Sequence, residues 1–92
     1  MELSLADFEG SVGETYEIVF SDGTLPVVLE KAQALPRSGR EAGAFRLEWR
    51  GPGDPILIQA IYRFRRDGRD FDMFVVPVGR DASGTLYEAI FN

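Results

Sequence analysis

Three carboxylates, Asp67, Asp70 and Asp72, fall within six residues and are interleaved with Arg65, Arg66 and Arg69. Hard divalent cations take oxygen ligands, so the cluster could in principle hold one. The run Asp-Gly-Arg-Asp-Phe-Asp, however, lacks the acidic spacing and the closing Glu of a calcium loop. A solvated hairpin tip balanced by its own arginines is the expectation, and no metal or other cofactor is expected. Asp70 and Asp72 would share one face of a strand.

The neighbouring run Tyr62-Arg63-Phe64-Arg65-Arg66 interleaves aromatics with cations, as single-strand-binding β-domains do. Strand alternation sends Tyr62 and Phe64 to the face opposite Arg63 and Arg65, so the rings should enter a core and not form a stacking platform. An isoelectric point near 4.6 further weakens attraction to phosphate. Nucleic acid is therefore not the expected partner.

Enzymatic chemistry has little to work with. The chain contains neither His nor Cys, which removes the commonest general base, thiol nucleophile and soft metal ligands. Gly10-Ser11-Val12-Gly13-Glu14 and Gly51-Pro52-Gly53 are too short for a phosphate-cradling loop and read as turns. Trp49 alternates with Phe45 and Leu47, which makes it a core residue before it is a pocket wall. Ser83 and Thr85 have no base partner. The expectation is a non-enzymatic chain.

The elements that position these groups are strands. Strong alternation flanks Arg66-Asp67-Gly68-Arg69, and an Asp-Gly pair between alternating runs is a hairpin signal because a type I′ turn needs positive φ at both central residues. The resulting hairpin is expected over Ile56 to Gly79. Its first strand should turn Ile56, Ile58, Ala60, Tyr62 and Phe64 one way. Its second, Phe71 to Val78, is largely apolar on both faces, as in a strand that is covered on both sides or sits in the middle of a sandwich or closed barrel. Upstream, Leu3 to Phe8 reads as a helical turn with Ser4 as N-cap and Asp7 reaching back to it. Thr15 to Phe20 pairs through Ser21-Asp22-Gly23-Thr24 with a long, bent strand over Leu25 to Leu35. Pro36 to Ala44 is a loop, Phe45 to Arg50 a half-buried strand, Arg80 to Gly84 a turn, and Thr85 to Phe91 the last strand. About six antiparallel strands in a meander, curling into a small barrel or a two-layer sandwich, follow from this spacing, with barrel closure favoured because it removes exposed edges. The 92 residues suit a single all-β domain with one short N-terminal helical turn.

Charge is unevenly distributed. Residues 1–30 carry seven acids and no base, whereas all ten bases, nine of them Arg, lie in residues 31–80 against six acids. Cross-strand ion pairing between the acidic first hairpin and the arginine-bearing strands is the simplest expectation. The absence of an apolar run of about 18 residues and the acidic start Met1-Glu2-Leu3-Ser4 lead us to expect no membrane span, no signal peptide and a cytoplasmic protein.

Four segments carry a resemblance: Phe8-Glu9-Gly10-Ser11-Val12-Gly13-Glu14-Thr15-Tyr16, Phe45-Arg46-Leu47-Glu48-Trp49-Arg50-Gly51-Pro52, Phe74-Val75-Val76-Pro77-Val78-Gly79 and Tyr87-Glu88-Ala89-Ile90-Phe91-Asn92. Together they make the chain resemble, over nearly its whole length, a family of short bacterial proteins described only as a domain of unknown function. The resemblance implies a stand-alone β-rich domain with no established activity and no catalytic residues to carry over, with relatives near phage-tail-like genes.

The function expected is that of an accessory or protein-interaction module. Its candidate surface is Arg63, Arg65, Arg66 and Arg69, joined by Arg37 and Arg40, and its partner is another protein or a second copy bound through oppositely charged faces. The alternative is a small-ligand or anion site on the basic second hairpin, facing the loop that carries Arg37 and Arg40.

Overall fold

The computed structural model describes residues 3–36 and 43–92. Six strands follow one another, β1 (Thr15–Phe20), β2 (Gly23–Ala34), β3 (Phe45–Gly51), β4 (Ala60–Arg66), β5 (Arg69–Asp81) and β6 (Gly84–Phe91), after two short 3-10 turns at Leu5–Asp7 and Glu9–Ser11. All pair antiparallel in a closed barrel of order β1-β2-β3-β6-β5-β4. Strand number, orientation and closure match the expectation. The meander is broken once, between β3 and β4. Two three-stranded meanders, β1-β2-β3 and β4-β5-β6, meet along β3–β6 and β1–β4.

Each meander has a long middle strand with a bulge. The pairing of β2 with β3 slips between Leu29 and Lys31, and that of β5 with β6 slips between Pro77 and Gly79. A bulge bends a strand and increases its twist. Each middle strand therefore gives one half to each neighbour: residues 23–28 of β2 pair with β1 and 28–34 with β3. The same bend lets β5 run to Asp81, past the turn expected at Arg80 to Gly84, before a two-residue turn at Ala82-Ser83. Gly84 there has φ near +124°, and a Cβ on it would collide with the Gly51 carbonyl, so no other residue fits. At the second hairpin Asp67 and Gly68 both have positive φ, 53° and 77°, as a type I′ turn requires.

The core is built from the expected alternation. Tyr16 and Ile18 of β1, Phe45, Leu47 and Trp49 of β3, Phe64 of β4, Phe71, Met73 and Val75 of β5, and Tyr87 and Ala89 of β6 all point inward and are buried. Each large apolar side chain withdrawn from water contributes on the order of 1.5–3 kcal/mol. Phe8 joins them from outside the barrel. Asp7 Oδ2 accepts from the Ser4 amide at 2.7 Å, fixing the first turn, and Phe8 then inserts against Tyr16, Phe45, Trp49 and Phe71. Ser11 closes this plug by donating to the Phe8 carbonyl at 2.9 Å and sharing a 2.7 Å hydrogen bond with the Tyr16 hydroxyl.

The segment 52–59 corrects the expected start of the second hairpin. Ile56 and Ile58 are not strand residues and face solvent, at 48% and 76% exposure. Pro52 and Pro55 cannot donate to a ladder, and the chain here must cross from β3 to β4 instead of pairing. Two tyrosines hold the crossing: the Tyr87 hydroxyl accepts from the Leu57 amide at 2.9 Å, and Tyr62 donates to the Ile58 carbonyl at 2.6 Å. Leu57, not its isoleucine neighbours, packs against the core. Among the described residues no helix is long and apolar enough to cross a membrane.

Candidate interaction surface

The hairpin β4–β5 places its charged groups on the outside of the barrel. In its register Arg65 faces Asp70, Arg63 faces Asp72, and Ile61 faces Phe74. Both arginines make forked contacts. Arg63 donates Nε and Nη2 to the two Asp72 oxygens at 3.0 and 3.3 Å, and Arg65 does the same to Asp70 at 2.7 and 3.0 Å. Hydrogen bonds from Arg65 and Arg63 hold the Asp70 and Asp72 carboxyls below the ordinary carboxylate range, and the two guanidinium pKa values are raised in return. The carboxylates that could have formed a metal site thus each hold an arginine. Among the described residues no group of three or more His, Cys, Asp or Glu side chains is placed to bind a metal ion.

The other candidate residues separate from this face. Arg66 turns towards the start of β1, contacting Glu14 at 3.2 Å and its own neighbour Asp67 at 3.3 Å, with its guanidinium over the Tyr16 ring. Arg69 lies over the Phe71 ring, 4.9 Å from its centroid. Arg37 and Arg40 lie outside the described residues. An open cleft of about 700 Å3 runs between the hairpin tip and residues 13–17, and its lining sets Arg65 and Arg66 beside Glu14, Glu17 and Asp67. Three carboxylates against two cations leave no positive excess there to draw an anion. The acidic first thirty residues supply only part of the ion pairing: Glu14 meets Arg66 and Glu30 meets Arg50, while Arg46 turns to Glu48 and Glu88.

What sequence reasoning missed is apolar. The outer face of β5 is not covered: Phe74 is 52% exposed, its cross-strand neighbour Ile61 68%, and Val78 at the bulge 52%. The signal was present in Phe71 to Val78, apolar on both faces: of the arrangements that pattern allows, a strand covered on both sides or one within a sandwich or closed barrel, the structure has the barrel, and among the described residues no second layer lies over Ile61 and Phe74. Isolated exposed apolar residues are ordinary; a paired Ile and Phe next to two fixed ion-pair rungs form a surface with both anchor and rim.

The sequence pattern of one family, Domain of unknown function (DUF6916), matches residues 3–91. The chain belongs to that family. The match takes in the N-terminal plug and all six strands, so the barrel described above is the DUF6916 domain of this chain. No curated protein and no solved structure matches it.

Proposed function

We propose that this DUF6916 chain is a non-enzymatic protein-interaction module that binds through the outer face of β4–β5. The observation that carries this is the Ile61–Phe74 pair, exposed on a regular, hydrogen-bonded hairpin and bordered by Arg63–Asp72 and Arg65–Asp70. Aromatic anchors within a polar rim are the usual composition of contact surfaces, and a rigid strand pair presents them at little ordering cost. Interior space favours the same reading, because among the described residues Trp49, Tyr87, Phe8, Phe45 and Phe64 are fully buried and fill the barrel. The module works in this way whether or not its partners are phage-tail-like.

Size-exclusion chromatography of the chain in fresh lysate of its source cell tests the proposal. It should elute well above its 10.3 kDa mass, and Ile61→Asp with Phe74→Asp should return it to that mass while the purified variant keeps the wild-type circular dichroism. Elution of the wild type at its monomer mass would refute the proposal.

A further inference from the structure

We propose that the occupant of the β4–β5 face is a second copy of this chain, packed across a two-fold axis that runs parallel to the two strands and between them. The inference rests on the reading of that face as a contact surface and adds its partner. Its basis is the arrangement of the three outward rungs. On β4 stand Arg65, Arg63 and Ile61; opposite them on β5 stand Asp70, Asp72 and Phe74. All cations lie in one column and all anions in the other.

A two-fold axis along the strands carries β4 of one copy over β5 of the other without shifting position along the strand. Arg63 then faces the second copy's Asp72, Arg65 faces its Asp70, and Ile61 faces its Phe74, with each contact made twice. Isologous interfaces require this kind of self-complementarity. Each ion-pair rung, meeting its mate, closes a square of alternating charge. The atoms for it are free: a guanidinium has five N–H donors, of which each arginine uses two within its own chain. Those intrachain forks also hold the long side chains in place, which lowers the ordering cost of association.

Charge separates this occupant from others. The four charged groups of the face sum to zero, so a strongly acidic or strongly basic partner gains on one column what it loses on the other. A partner with the same two columns in reverse order loses nothing, and a second copy presents that pattern. Face-to-face sheets pack with their strands within about 30° of alignment, which this axis allows.

Sedimentation equilibrium on the full chain at low ionic strength tests the inference through a paired charge reversal. The wild type should show a reversible monomer–dimer equilibrium. Arg63→Asp leaves only acids on its rung and Asp72→Arg only bases, so each variant alone should dissociate about tenfold or more readily. An equimolar mixture of the two sets acids against bases at both contacts and should restore association as a heterodimer. Phe74→Ser should weaken the dimer without touching the charges. A monomeric wild type at every concentration, reversals without effect, or a mixture no tighter than its components would each overturn the inference. A wild type that is monomeric when pure yet elutes above its own mass in lysate keeps the interaction reading and rejects the second copy; one at monomer mass in both rejects the two together.

Discussion

Arg63 and Arg65 are held by Asp72 and Asp70 in forked contacts on the barrel surface, and this fixes both what they can bind and how they respond to pH. The hydrogen bonds from Arg65 and Arg63 depress the Asp70 and Asp72 pKa values, and the Ser83 backbone amide, followed by Arg50, does the same to Asp81. A carboxyl whose folded pKa lies below its unfolded value adds stability at pH above the unfolded value, and that stability is lost as pH falls through the folded one. Melting temperature should therefore drop below about pH 4, the unfolded carboxyl range, and Asp70→Asn with Asp72→Asn should flatten part of that descent. Because these pairs are exposed the effect is small; identical acid limbs in the two proteins would show that the forks add nothing. At this scale the sequence was legible where geometry is local. The Asp67-Gly68 turn, the inward Trp49 and the split between Phe64 and its flanking arginines all follow from alternation and φ preference. Phe74 did not, because its exposure depends on what the rest of the chain leaves uncovered.

At the scale of elements, the N-terminal 3-10 turns act as part of the core. Phe8 is fully buried although it belongs to no strand, and four aromatic rings surround it. Truncating such a residue removes its transfer free energy and leaves a cavity, so Phe8→Ala should lower unfolding free energy by about 3–5 kcal/mol in urea denaturation. A loss below about 1 kcal/mol would mean that the turns merely lie on the barrel. The Ser4–Asp7 cap announced the turn, but nothing local announced that it would stop the barrel end. The segment 52–59 shows the converse. Ile56 and Ile58 continue the period of Ala60, Tyr62 and Phe64, yet they fall where the chain changes meander, and periodicity carries no information about which strand lies alongside. Pro52 and Pro55 were the available warning.

On the scale of the whole molecule, closure gives every strand two neighbours and leaves little open edge, the β1–β4 seam pairing over Glu17–Val19, so side-chain surfaces are the main means of contact with another protein. Part of that surface is neutralised internally: Arg46, Arg50, Arg63, Arg65 and Arg66 each hold a carboxylate of the same chain. Of the acids in the first thirty residues, Glu14 and Glu30 enter these pairs, and the face that stands out is Ile61–Phe74 with its two rungs. Its proposed function as a contact surface is tested most directly by a photo-crosslinking amino acid placed at position 74 in the full chain inside its source cell, with position 31, an exposed site on β2, as control. Illumination should give a discrete protein adduct from position 74 and none from position 31, with an adduct of twice the 10.3 kDa chain mass marking a second copy. No adduct from position 74, or the same adducts from both positions, would contradict the assignment of this face.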